Sequence, residues 1–352
     1  MDKNQTPDIL SLDLAGLTGL LSEKYSLPAY RARQIFKWLH RGAVSFGEMT
    51  DLPADLREKL GAELPITSFT VTKKLASEKD GTVKYLLSGS GISIETVLLR
   101  YNHGNTLCLS TQAGCRMGCS FCASRPEGFT RNLAPSEMLA QIFAAQADSG
   151  ERISNIVLMG VGEPLDNYDN TVKFLRLVNS ADGLNIGWRH ISLSTCGLAD
   201  KIDELAKLKL GLTLSVSLHA PDDELRARLM PINRKFGIKR LLAACRNYAQ
   251  TTGRRISFEY ILLDGLNDTP EHAAALAPLL AGMPCHVNLI AANPVEGRGH
   301  RPSGREAAAA FQKALEAGRV NATVRNRMGD DINAACGQLR AAAERRQLII
   351  ES

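Results

Sequence analysis

Residues 106–122 read TLCLSTQAGCRMGCSFC. TLCLSTQ reads as a strand, and the loop behind it carries Cys115, Cys119 and Cys122 in the spacing C-x3-C-x2-C. A loop this short can bring three thiolates to three corners of a [4Fe–4S] cube. Four cysteines close every iron of such a cluster. Three leave one iron with an open coordination position, able to hold a substrate or cofactor and pass it one electron. The alternative is a zinc knuckle with a ligand borrowed from elsewhere. Zinc sites usually pair their cysteines as two C-x2–4-C hooks, and the chain has no second hook.

Outward from this stretch, strands and helices alternate. NIVLMGVG (155–162), HISLSTCG (190–197), LTLSVSLHA (212–220), ISFEYILLDG (256–265) and HVNLIAANP (286–294) read as five further strands, with helical segments such as SEMLAQIFAAQ and LLAACRNYAQ between them. That alternation implies an α/β fold with a parallel sheet and helices outside it. Six units are too few for a closed eight-stranded barrel, so a six-stranded partial (β/α) barrel is expected over 105–295. A Gly/Arg-rich loop (296–306), a helix, a last strand ATVRNRM and the tail GDDINAACGQLR form a C-terminal extension, 296–352. Upstream, residues 1–66 read as a small helical domain. One helix is expected to be capped by Ser11, and a second to start at Pro28 and stop at Gly42, with Ile35, Phe36 and Leu39 facing a core. Residues 67–104 alternate with period two around an Asp80-Gly81 turn, as a short antiparallel sheet does.

Composition sets limits on function. The chain has 352 residues, 44% hydrophobic and 22% charged, as a soluble globular protein does. It contains no apolar run of about 18 residues, and MDKNQTPDILSLDL lacks the pattern of a secretory signal. A cytosolic protein is expected, whose eight cysteines serve as ligands, nucleophiles or fillers rather than a disulfide framework. Cys196, Cys245 and Cys285 read as apolar fillers. The net charge of +5 does not establish a nucleic-acid partner. Arg33, Lys37 and Arg41 form one row along a helix. Other basic groups lie at Arg234, Lys235, Lys239, Arg240, Arg254 and Arg255, and at Arg298, Arg301, Arg305, Arg325 and Arg327. Charge alone does not separate a phosphate-binding surface from an ordinary solvated one.

Ligands of a parallel sheet gather beyond the C-terminal ends of its strands. Gly160-Val161-Gly162-Glu163-Pro164 follows the second strand there, with Glu163 able to accept a hydrogen bond from an ammonium group. Ser194 ends the third, Ser217-Leu218-His219 the fourth, and Asn293 the sixth. Each alone suits a turn; together they describe a polar wall fit for ribose and adenine.

The cysteine loop followed by GVGE resembles the radical S-adenosylmethionine (SAM) enzymes. ETVLLR (95–100), the stretch 106–124, GFTRNL (128–133), MGVGEPLDN (159–167), SLHAPDDELRARLMPIN (217–233), VNLIAANP (287–294) and GDDINAACGQL (329–339) together resemble the RlmN/Cfr family, over about residues 10–340. The resemblance implies a radical SAM methyltransferase with a [4Fe–4S] cluster on Cys115, Cys119 and Cys122. SAM would lie on Gly162, Glu163, Ser194, Ser217, Leu218, His219 and Asn293, and two SAM would be used per turnover.

It further implies that Cys336 takes a methyl group from one SAM, and that a deoxyadenosyl radical from the second SAM activates that methyl to add to the adenine. Glu95 would accept the ring proton, and Cys108 would attack the Cys336 sulfur, forming a transient disulfide and releasing methylated RNA. The implied substrates are adenine 2503 of 23S rRNA and adenine 37 of certain tRNAs, methylated at C2. An electron donor such as flavodoxin or ferredoxin is implied, and a monomer is the default. Pro164 favours the C2 branch over the C8 branch, which confers antibiotic resistance. NLIAANP lacks a proline common to both branches. The remaining alternative is a non-catalytic iron–sulfur RNA-binding sensor, which has no use for Cys336, Cys108, Glu163 and Glu95 together.

Overall fold

The computed structural model describes residues 8–125, 128–293, 299–325, 328–334 and 337–339. The N-terminal part holds three helices, α1 (Leu14–Tyr25), α2 (Ala29–Leu39) and α3 (Ala54–Glu63). Ile35, Phe36 and Leu39 of α2 are buried as expected, and Arg33, Lys37 and Arg41 stand exposed on the opposite face. Ser11 does not cap α1. Asp13 does, accepting from the Gly16 N–H. Ser11 lies in a preceding 3-10 turn, and its hydroxyl accepts the Ser136 N–H at 3.0 Å. A helix N-terminus needs partners for its free N–H groups, and here that partner comes from a distant segment. The contact fastens the N-terminal part to helix α4 (Pro135–Ser149).

The strands β1 (Thr70–Ala76), β2 (Val83–Gly89), β3 (Ile92–Tyr101) and β4 (Gly104–Cys108) pair antiparallel in sequence. They do not form a separate sheet. β4 also pairs in parallel with β7 (Asn155–Leu158), and the sheet continues through β8 (Ile191–Thr195), β9 (Thr213–Ser217), β10 (Ile256–Leu262) and β11 (Cys285–Ala291) to β12 (Ala322–Val324). One ten-stranded sheet results, open at β1 and β12. β5 (Gln112–Gly114) and β6 (Phe129–Asn132) form a separate two-stranded ribbon around the cysteine loop.

The helices α5 (Tyr168–Asn179), α6 (Ala199–Lys207), α7 (Asp223–Leu229), α8 (Ile238–Thr252), α9 (Pro270–Leu280) and α10 (Arg305–Ala317) follow the parallel strands. β10 shows how the sheet divides. Ile256, Phe258, Tyr260 and Leu262 join the core that also holds Leu241 and Tyr248 of α8 and Phe311 of α10. Ser257, Glu259 and Ile261 take the other face, as strand alternation dictates, and line internal cavities. Among the described residues no helix is long and apolar enough to cross a membrane.

Candidate active site

Gly114 and Gly118 bend the cysteine loop, with φ of +77° and +72°. A Cβ on Gly114 would collide with the Gly128 carbonyl, which accepts the Cys115 N–H at 2.7 Å. The loop delivers Cys115, Cys119 and Cys122 to one cavity of about 180 Å³, shared with Gly162, Glu163, Ser194, Ser217 and His219. The strand-end residues and the cysteines thus meet as expected.

Leu218 and Asn293 are not among the lining residues. Leu218 buries its side chain in the core and offers only backbone. Its N–H donates to the Glu259 carbonyl, and its own carbonyl accepts from Arg226. Asn293 lies two residues past the end of β11.

Burial pushes the Cys115 thiol up to about 12 and Cys119 further still. A bound cation reverses this preference, because thiolates are the ligands. Thiols shielded from water in this way fit an iron–sulfur body for that reason. Among the described residues no trio of His, Cys, Asp or Glu converges to hold a single metal ion. A cubane is gripped at separate corners, so its cysteines need not converge on a point.

Gly160 and Gly162 are required by the close approach of a neighbouring backbone. A Cβ on Gly160 would meet the Leu109 carbonyl at 2.5 Å, and one on Gly162 would meet the Gln112 N–H nitrogen at 2.8 Å. The glycines admit the 109–112 backbone, and that packing aims Glu163 inward. Glu163 is almost wholly buried. Its carboxylate accepts the Cys196 N–H at 2.7 Å and the Leu165 N–H at 3.0 Å. Burial nonetheless raises its pKa, with those N–H groups opposing. Cys196, read as a filler, therefore lines the cavity through its own residue and holds Glu163. Cys245 is the buried filler expected, and Cys285 packs partly against the same core.

His219 has φ of +61°. Its Nδ1 accepts the Ile261 N–H at 3.0 Å, so the proton sits on Nε2. Burial, aided by Arg226, lowers its pKa to about 3 and keeps the ring neutral.

A second constellation adjoins the first. Cys108 pairs with Val97 across β3–β4, and Lys84 pairs with Val97 across β2–β3. Directly opposed residues share a face, as do residues two apart on a strand, so Lys84, Glu95, Val97 and Cys108 lie on one face. Lys84 Nζ is 3.3 Å from Glu95 Oε1, with both side chains largely buried. Lys84 also donates to the Asn333 carbonyl at 3.0 Å. Cys108 packs with Val161, Ala334 and Leu339.

Cys336 lies outside the described residues, but its neighbours are pinned on both sides. The Ala123 N–H donates to the Gly337 carbonyl, and the Ser124 hydroxyl donates to the Leu339 carbonyl at 2.9 Å. Asp80 accepts the Gly329 N–H at 2.8 Å.

Three residues were not singled out by sequence reasoning. Arg226 is wholly buried and donates to the carbonyls of Cys196, Ser217 and Leu218 and to Asn233 Oδ1. It ties together the strand ends that form the cavity wall. Glu259 and Lys84 are the others. The signal for Glu259 was a charge inside the apolar run ISFEYILL; for Arg226 it was an arginine beside Leu225 on the inward side of α7.

Among the basic groups, Arg33, Lys37 and Arg41 flank a surface hollow with Tyr30 and Trp38. Arg240 is held by Asp200 and Asp203 at 2.7 Å, so its charge is already matched. Arg254, Arg255 and Arg325 line a second cavity at the opposite end of the strands. Arg234, Lys235, Lys239, Arg301 and Arg305 are exposed, while Arg298 and Arg327 lie outside the described residues.

Fold and site together define a radical SAM protein, and comparison with known proteins agrees. The Radical SAM superfamily profile matches residues 109–277, and that of the ribosomal RNA large subunit methyltransferase N-terminal domain matches residues 7–66. The chain is 50% identical over 334 residues to a probable dual-specificity RNA methyltransferase RlmN of Alkaliphilus oremlandii, covering 95% of this chain and 97% of that one. A protein of the same name from Pelotomaculum thermopropionicum is 53% identical, with 95% and 91% covered. The crystal structure of a radical SAM methyltransferase from Sphaerobacter thermophilus superposes with a TM-score of 0.91 at 45% identity, covering 95% of this chain and 99% of that one. The chain belongs to the RlmN family of radical SAM RNA methyltransferases.

Proposed function

We propose that this protein methylates C2 of an adenine in 23S ribosomal RNA and in transfer RNA, with Cys336 as the methyl carrier and two SAM used per turnover. The observation that supports this reading best is the double fastening of the Cys336 segment. Gly337 and Leu339 are bonded to the residues directly after Cys122. Ala334 and Leu339 pack with Cys108. A carrier cysteine must serve the SAM cavity and a resolving thiol from one place, and the described residues that flank Cys336 adjoin both.

When bound, a [4Fe–4S] cluster on Cys115, Cys119 and Cys122 supplies the electron that splits SAM. Glu163 retains lone pairs beyond those taken by its two N–H donors, so it can receive an ammonium group. Glu95 accepts the proton from the adenine ring, with Lys84 holding the carboxylate. Cys108 then attacks the Cys336 sulfur; the S–S bond forms as the bond from that sulfur to the transferred carbon breaks, the electron pair passes to that carbon, and a proton completes the methyl group on the released base. Thiol attack needs a thiolate and access. Cys108 stands at the end of β4 beside the pinned segment, rather than in the helix-packed core.

The surface formed by Arg33, Lys37 and Arg41 grips RNA around the extruded base. Enzymes that act on a base edge draw it out of the stack, and basic side chains outside the pocket hold the flanking phosphates. The family name of the relatives, dual-specificity, supports two RNA classes. Mass spectrometry of nucleosides, after anaerobic reconstitution and reaction with ribosomal and transfer RNA, tests the proposal. The expected product is 2-methyladenosine from both. An 8-methyl product, or methylation of neither RNA with the cluster intact and SAM cleaved, would overturn it.

A further inference from the structure

The geometry points to Glu259 as a hydrogen-bond acceptor for the ribose hydroxyls of SAM. The inference rests on SAM occupying the cavity of the three cysteines.

Glu259 sits on the inner face of β10, between Ser257 and Ile261. In register it lies between Ser217 of β9 and Asn288 of β11. Only 4% of the residue is exposed. With Met159 and Arg325 it belongs both to the lining of the cysteine cavity and to that of the second cavity.

Its two oxygens differ. Oε1 accepts from Ser257 Oγ at 3.2 Å and from Asn288 Nδ2 at 3.0 Å. Oε2 is buried and has no hydrogen-bond partner among the described residues. A buried carboxylate oxygen without a donor is costly, and such an orphan in a native fold calls for a reason. Glu163, the other buried acid of the cavity, has donors on both oxygens. Glu259 therefore has unused acceptor capacity in the cavity lining.

The missing partner is a donor brought by the ligand. A vicinal diol meets that need, and carboxylates bind ribose hydroxyls in other nucleotide sites. SAM presents such a diol. An adenosine of the RNA substrate presents a single ribose hydroxyl of the same kind, and the two sources must be separated. Its place in the cysteine cavity favours SAM. Glu259 stands level with Ser217 in the lining of the cysteine cavity, whereas the Cys108 and Glu95 constellation that would face RNA sits on β3 and β4.

The test is equilibrium binding to the anaerobically reconstituted protein, with S-adenosylhomocysteine and its 2′-deoxy and 3′-deoxy analogues as probes. Wild-type protein is expected to bind a deoxy analogue about tenfold more weakly than the parent compound. Glu259→Gln, of equal shape and with Oε1 retained, is expected to weaken the parent about tenfold and to erase the preference over the deoxy analogue. Iron content and circular dichroism report that the variant is loaded and folded. The deoxy series on wild type needs no variant and guards against a folding failure. Unchanged affinity in Glu259→Gln, or a loss confined to RNA binding, overturns the contact while leaving the SAM site standing. Failure of wild-type protein to bind S-adenosylhomocysteine overturns both.

Discussion

The Ala123 N–H donates to the Gly337 carbonyl at 2.8 Å. The residue after Cys122 is thereby bonded to the residue after Cys336. Gly337 has φ of +82°, and the nearest atom to an added Cβ is 4.0 Å away. Gly337→Ala therefore perturbs backbone alone, at about 1 kcal/mol. The expected outcome is a methylation rate reduced by roughly fivefold to tenfold, with iron content and SAM affinity unchanged. Single-turnover methylation beside an iron assay checks this.

Lys84 holds both Glu95 and the Asn333 carbonyl. Lys84→Met removes the cation from a largely buried carboxylate and one bond to the C-terminal segment. Such losses cost about 1–3 kcal/mol, readable by chemical denaturation. Methylation is expected to fall about tenfold. If Lys84 acts through Glu95, the rate losses of Lys84→Met and Glu95→Gln will not add in the double variant.

Arg226→Lys keeps the charge but has no fork of N–H groups to reach three carbonyls and Asn233 at once. Stability is expected to drop by roughly 3 kcal/mol or more. SAM binding should weaken as well, since Cys196 and Ser217 line the cavity. Denaturation and equilibrium dialysis measure the two effects separately.

Burial lowers the His40 pKa from 6.5 to about 4. Below 6.5 the unfolded chain takes up a proton that the native protein refuses. Stability is therefore flat above that pH, falls from there to about pH 4, and levels off below. The loss reaches at most about 3 kcal/mol. His40→Leu is expected to flatten that part of the curve, measured as urea midpoints from pH 7.5 to 4.5.

Replacing Arg33, Lys37 and Arg41 together with Ala is expected to weaken RNA binding and to reduce its salt slope by about 2. The three side chains are exposed and lie outside the core, so the variant should remain folded. Binding titrations across salt concentrations decide it.

The strand–helix alternation, the buried face of α2 and the convergence of Cys115, Cys119, Cys122, Glu163, Ser194, Ser217 and His219 were legible because each depends on local periodicity or on position at a strand end. What escaped depends on distant partners. β3 pairs with β4 in a sheet that also holds the parallel strands, and nothing within 67–104 records that neighbour. Ser11 has the chemistry of a cap, but its partner is Ser136. Arg226 and Glu259 read as charges misplaced among apolar residues until three strand ends and a cavity surround them. The glycines of GVGE were legible as glycines, although the backbone they admit belongs to the preceding strand connection.

The bonds from Asp80 to Gly329 and from Lys84 to Asn333 each span 249 residues. Contacts so remote in the chain form late, since the far partner is made long after the near one. The cysteine loop is made long before that closure. The two bonds therefore tie β2 and the turn before it to residues made long after the cysteine loop.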